Sequence, residues 1–286
     1  MAAAGFTVET GRDNMFRTRL LSGIVLVALA LVLLITGGPV LAASLLAISI
    51  IGLNELYRAL GIEDGKFSPL AAVGYLGCFF YYMIVILDLS AYTMTVLIAL
   101  LILFMAVYVF TYPRYKTDQV TGAFFGVVYV AVMLSCIYEL RIMEHGVFLV
   151  WLIFISSWGC DTCAYCVGML FGKHKMSPKL SPKKSVEGAV GGVVGAALIG
   201  AIYAAAIAGW MDGGTHTMMS FAVICALGGL ISMVGDLAAS AIKRNRGIKD
   251  YGKLIPGHGG ILDRFDSVIF IAPVIYYLAQ AFSGVF

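Results

Sequence analysis

GAVGGVVGAALIGAIYAAAIAGW, from Gly188 to Trp210, runs for 23 residues without a charged side chain. As an α-helix it would be roughly 35 Å long at 1.5 Å per residue, enough to cross a hydrocarbon core of ~30 Å. Glycines 188, 191, 192 and 195 fall on neighbouring helical faces. A phosphate-cradling loop is one reading of them. The close packing of membrane helices explains them better, because small residues three and four apart let backbones approach and no strand is expected before the run.

Working outward, comparable apolar runs lie at 19–36, 39–57, 68–87, 92–111, 121–138, 147–171, 217–240 and 262–284. With 61% hydrophobic and 12% charged residues among 286, the chain has about half the charge of an ordinary soluble domain. The expectation is an all-α polytopic membrane protein of about nine transmembrane helices. The polar leader before residue 19 precedes a span longer than a signal-peptide core, so it is read as a retained anchor.

Basic residues orient the spans, since positively charged loops stay in the cytoplasm. With the N-terminus inside, 18 of the 19 Lys and Arg fall on the cytoplasmic side and only Arg141 falls outside. The C-terminus is then on the far side. A basic cytoplasmic face suits anionic head groups or nucleotide phosphates. Nucleic acid is not an expected partner, because no basic tract is interleaved with stacking aromatics and the loops are short.

The six cysteines all lie within spans, which implies no disulfides. Cys160, Cys163 and Cys166 have a CxxCxxC spacing, yet steps of three carry side chains progressively around a helix. They read as small apolar fillers rather than a metal site. Residues 1–140 look like anchoring spans. Glu55 and Arg58 there read as an interfacial ion pair on one helix. Residues 141–286 hold the unusual chemistry, with two lysine-rich loops and polar groups inside spans. Asp161, Asp236 and Asp263 lie in or at the edge of apolar runs, where an ionised group is costly unless paired, hydrated or metal-bound. A structural ion pair such as Asp236 with Arg264 stays open as the alternative.

Ser240 to Asp266 reads SAIKRNRGIKDYGKLIPGHGGILDRFD, which resembles the signature of the CDP-diacylglycerol synthase (phosphatidate cytidylyltransferase) family. The resemblance rests on Ser240, Lys243, Arg244, Lys249, Asp250, Gly252, Pro256, His258, Gly259, Gly260, Asp263, Arg264 and Asp266. A second block is similar to the other family motif: Asp161 to Tyr165 with Gly168, Phe171 to Lys173, and Ser181 to Gly188. In it Ser185 replaces the family's threonine, and Cys163 and Cys166 replace a glycine and an aromatic.

The resemblance implies transfer of CMP from CTP to phosphatidate, giving CDP-diacylglycerol and pyrophosphate, in the cytoplasmic (inner) membrane with the site facing the cytoplasm. It also implies a homodimer and a magnesium requirement, with a monovalent cation such as K+ beside it. Asp236 and Asp263 suit Mg2+, a hard cation that takes oxygen ligands. Asp161, Lys243 and His258 complete the expected catalytic set. Lys183, Lys184, Ser185, Ser240, Arg244, Lys249, Gly259, Gly260, Arg264 and Asp266 are expected to bind the substrates. His258, flanked by glycines, reads as a hydrogen-bond donor to a phosphate or base, as a solvated surface turn, or as a general base. Two other classes remain open: a transporter with mid-membrane carboxylates, and a related CTP-using enzyme such as a polyprenol kinase or an archaeal-lipid cytidylyltransferase.

Overall fold

The computed structural model describes residues 3–211 and 214–284, with side chains from residue 20 onward except at 214. The basic leader side chains Arg12, Arg17 and Arg19, and the loop residues Asp212 and Gly213, lie outside what is described.

Among the described residues, nine long helices overlap the apolar runs. They are α1 (Ala3–Thr36), α2 (Gly38–Ala59), α3 (Pro69–Ile86), α4 (Thr93–Phe110), α5 (Thr117–Ile142), α6 (Gly146–Phe171), α7 (Val186–Ile207), α8 (Gly214–Asn245) and α9 (Leu262–Ala281). Among the described residues, seven of them, α2 to α8, are long and apolar enough to cross a membrane. The apolar part of α1, Leu20–Thr36, is shorter, and α9 opens on Asp263, Arg264 and Asp266.

Local chemistry sets several boundaries. Ser68 caps α3 by accepting the Ala71 N–H at 3.3 Å, with Pro69 in the first turn, where a missing N–H costs nothing. Between α1 and α2, Gly37 has a φ of +61°. Arg141 at the end of α5 donates to the carbonyls of Leu34 (2.8 Å) and Ile35 (3.1 Å). It thereby satisfies orphan acceptors at the end of α1 and sets the ends of α1 and α5 at the same end of the bundle.

The all-α expectation needs one correction. β1 (Lys175–Ser177) and β2 (Ser181–Ser185) pair antiparallel, Lys175 opposite Ser185 and Ser177 opposite Ser181, so a short strand does precede the glycine run. The glycines nevertheless serve helix packing. A Cβ on Gly188 would stand 2.8 Å from the Ala164 carbonyl oxygen, and one on Gly192 would stand 2.9 Å from that of Cys160. Here α7 lies against α6 with almost nothing between the backbones.

α8 packs against α7 and α9, and α9 packs in turn against α5, so the two halves of the chain share one bundle. π-helical turns interrupt α5 at Val127–Val132 and α6 at Ile155–Gly159. The second lies one turn before Asp161 and re-aims the face that carries it, a frequent device beside functional groups. The cysteines are all free. Cys160 is buried, Cys163 half-buried and Cys166 exposed, the drift around the helix that steps of three produce.

Candidate active site

The unusual residues gather where α2 and α8 end and α7 and α9 begin. The hairpin supplies the first part. Its strand β2 delivers Lys183 and Lys184 and runs directly into α7. Ser185 is the N-cap of that helix: its buried hydroxyl accepts the Gly188 N–H at 3.1 Å, an arrangement of the kind that makes serine a favoured cap. Glu187 holds the base of the hairpin, accepting the Lys173 N–H at 3.1 Å and meeting His174 Nδ1 at 2.6 Å.

Lys184 turns inward to pair with Asp236 of α8. Lys184 lines a cleft of about 390 Å³ together with Asp161, Tyr165, Lys183, Ser185 and Met233 among others. Asp236 lies near enough to repel the charges of both Asp161 and Asp266. The sequence alternative of an Asp236–Arg264 pair is not what forms, for Lys184 takes that place.

Asp263 sits differently. It is only 6% exposed, in the first turn of α9, where the helix dipole favours a carboxylate. Lys243 donates to Oδ1 at 2.9 Å, and the backbone N–H groups of Tyr251 and Gly260 donate to Oδ2 at 2.8 and 3.0 Å. One carboxylate thus ties α8, the loop after it and α9 together. Tyr251 adds a hydrogen bond from its hydroxyl to the Ala239 carbonyl at 3.2 Å, and its ring lies under the Lys243 ammonium, 5.4 Å from the centroid.

The loop from Ile255 to Gly259 doubles back on itself: Ile255 N–H donates to the Gly259 carbonyl and His258 N–H to the Ile255 carbonyl, both at 2.9 Å. Gly257 and Gly259 have φ of +75° and +88°, a region L side chains avoid. At Gly259 a Cβ would also stand 2.9 Å from Asp263 Oδ2. His258 meets α1, where Ser22 Oγ lies 2.8 Å from its Nδ1.

Glu55 is not the interfacial partner of Arg58 that its spacing suggested. It is 7% exposed, and its two oxygens accept the N–H groups of Ile261 (3.0 Å) and Leu262 (2.8 Å). A Cβ on Gly252 or Gly260 would collide with its carboxylate, so both glycines are needed for the loop to wrap it. Glu55 and Ser22 were missed as site residues. The available signal was a lone carboxylate one turn inside an apolar run, where ionised groups are costly.

Of the remaining residues, Arg244 is exposed and donates to the Ile248 carbonyl at 3.4 Å, closing the end of α8. Lys249 and Arg264 are exposed, Ser240 and Asp266 half-buried, and Gly260 buried. Asp266 Oδ1 accepts the Ser267 N–H at 2.8 Å.

Among the described residues, no three carboxylate, imidazole or thiol side chains converge tightly enough to hold a metal alone. Mg2+ asks for less, because it keeps waters and takes one or two carboxylates together with substrate phosphates. The donor set fits such a use through Asp236 and its neighbour Asp266. Asp263 fits less well, since both its oxygens are already committed to Lys243 and the loop.

Fold and site together define a polytopic helical membrane protein that concentrates lysines and carboxylates around a cleft at one end of its bundle. The chain belongs to the cytidylyltransferase family, whose model matches residues 17–282. It is similar to the phosphatidate cytidylyltransferases of Staphylococcus haemolyticus (strain JCSC1435), 30% identical over 272 residues covering 92% of this chain and 98% of that protein, and Staphylococcus aureus (strain COL), 30% over 269 residues with the same coverage. The Thermotoga maritima phosphatidate cytidylyltransferase is 32% identical over 134 residues, 47% of this chain and 50% of that protein.

Proposed function

We propose that this protein transfers the cytidylyl group of CTP to phosphatidate. The observation that carries the reading is the pair of lysine–carboxylate contacts, Lys184 with Asp236 and Lys243 with Asp263, on elements that meet around one cleft. The lysine-rich hairpin borders the cleft together with Asp161 of α6 and Met233 of α8.

An oxygen of the lipid phosphate attacks the α-phosphorus of CTP. The bond from that phosphorus to the oxygen bridging it to the β-phosphorus breaks, and pyrophosphate leaves with the electron pair. The attacking oxygen is already ionised near neutral pH, so no strong base is needed and His258 is free for binding. What this reaction demands is that two polyanions be held in line and the leaving group's charge be neutralised. Lys183 and Lys184 suit the nucleotide phosphates, with Lys249 and Arg244 at the exposed rim. Lys243, held between Asp263 and the Tyr251 ring, suits a phosphate at the centre without wandering. Magnesium belongs to the same reading: held by Asp236 and Asp266, it would supply Lewis-acid stabilisation of phosphate charge. A homodimer does too.

The topology that goes with this function has nine spans, with the N-terminus and the active site in the cytoplasm and the C-terminus outside. The basic residues support it. In a variant without native cysteines, Lys179→Cys and Ser90→Cys should label from opposite sides of intact vesicles. Labelling from one side would remove the nine-span arrangement.

The function itself is tested by incubating the purified protein with labelled CTP, Mg2+ and either phosphatidate or a polyprenol. CDP-diacylglycerol is the expected product. A phosphorylated alcohol would point to the kinase reading, and no cytidylylated lipid from folded protein would sink the proposal.

A further inference from the structure

A tyrosine of the N-terminal half reaches the carboxylates of the C-terminal half. Tyr129 lies in the π-helical turn of α5, Val127–Val132, a kind of turn that is frequent at functional sites. It is 2% exposed, and its hydroxyl is buried with no hydrogen-bond partner among the described residues. A phenylalanine would fill the same space without burying an unmet donor, which is a net cost to the fold. An orphan of this kind calls for a physical account.

Its surroundings supply one. The Tyr129 ring is held by two others, stacked on Phe125 at 5.2 Å between centroids and edge-on to Phe270 at 5.8 Å. Phe270 stands one turn after Asp266 on α9, so the two share a face. α8 meets α9 at the same two residues: a Cβ on Gly235 would stand 2.9 Å from the Asp266 carbonyl oxygen and 3.0 Å from Phe270. A Cβ on Gly52 of α2 would stand 3.1 Å from Val130 and 3.7 Å from Leu262, which seats the π turn near the start of α9. Asp266 lies near enough to act electrostatically on the Tyr129 hydroxyl.

We propose that Tyr129 is a positioning residue for the reaction: with magnesium and nucleotide in place, its hydroxyl donates to Oδ2 of Asp266 and fixes the angle of that carboxylate toward Asp236. The inference rests on the magnesium part of the proposed function and gives α5 a share in it.

Asp266 needs such a partner. Its Oδ1 accepts the N–H of Ser267, the next residue, at 2.8 Å, while Oδ2 accepts no hydrogen bond among the described residues. Asp236 repels it. A cation shared by two such carboxylates requires each at a set angle, and hydrogen bonds to ligating carboxylates are what set it. A hydroxyl whose ring is already clamped between two aromatics has little freedom left to lose when the bond forms.

The test compares Tyr129→Phe with wild type, both full-length in detergent micelles, with Mn2+ as the metal probe because its electron paramagnetic resonance signal reports the bound fraction. Tyr129→Phe should bind Mn2+ about tenfold or more weakly, the scale on which outer-shell partners act, and should need correspondingly more Mg2+ for half-maximal turnover. Its metal-free Tm should be no lower than that of wild type, because the lost hydroxyl had no partner. Tyr82→Phe is the structural control: it removes a paired hydroxyl, 2.8 Å from Ser49 Oγ, and should lower Tm without changing Mn2+ affinity. With Asp266→Ala already present, Tyr129→Phe should change turnover at limiting Mg2+ by less than about twofold, since its partner is gone. Wild-type Mn2+ affinity in Tyr129→Phe, weaker affinity accompanied by a lower metal-free Tm, or an undiminished loss in the Asp266→Ala background would each overturn the inference. Failure of the wild type to cytidylylate phosphatidate would overturn the parent reading instead, and the Mn2+ titration would still decide the role of Tyr129.

Discussion

Replacing Asp236 with asparagine is expected to lower turnover by at least about 100-fold, the range seen when one electrostatic stabiliser is removed from an active site, and to raise the magnesium concentration needed for half-maximal rate. The substitution keeps side-chain volume while removing the charge that pairs with Lys184 and that the proposed magnesium site requires. Because the Asp236 side chain is only half-buried, the fold should survive, with wild-type elution in detergent as the control. Asp263→Asn should lose a similar amount for another reason. It loosens Lys243 and withdraws charge from an acceptor of two loop N–H groups, so turnover should fall even at saturating magnesium. The double variant should be far from the product of the two, since groups acting on one reaction centre fail together. Normal turnover and magnesium dependence in Asp236→Asn would remove it from the site.

Truncating Glu55 to alanine is expected to damage the protein from a distance. The Ile261 and Leu262 N–H groups lose their acceptor at the start of α9, and each buried donor left unpaired costs about 1–3 kcal/mol. The sum, about 2–6 kcal/mol, corresponds to a fall in Tm of roughly 4–24 °C at the ~2–4 °C per kcal/mol of large domains. Turnover should fall with it, as Asp263 and Gly260 belong to the same turn. Glu55→Gln keeps one carbonyl oxygen but turns an NH2 toward the second donor, so it should recover only part of the loss. Wild-type melting and turnover in Glu55→Ala would show that the loop is held by Asp263 and Tyr251 alone.

Much of this arrangement was legible in the chain. Each apolar run became a helix, because a segment with no polar partner for its backbone must satisfy it internally. Asp236 and Asp263 stood out for a related reason: charge inside such a segment is too costly to be incidental. The β1–β2 hairpin was not. Its residues, from Lys175 to Ser185, include Pro182 and adjacent lysines rather than alternating apolar positions, and its pairing depends on Glu187 gathering the backbone of Lys173 and His174.

Glu55 marks the boundary most clearly. Spacing alone offered it Arg58, three residues away, because a sequence displays only neighbours along one helix. Its actual partners are 206 and 207 residues distant, brought close only when α2 and α9 pack side by side. The same holds for Lys184 choosing Asp236, for Ser22 meeting His258, and for Tyr129 coming within range of Asp266. By itself the sequence determined which segments form long apolar helices and which charged residues stand out within them, since both follow from local transfer free energies. Only the tertiary structure decided how those charges pair and that the N-terminal helices belong to the site, because pairing depends on distances between segments that no local pattern encodes.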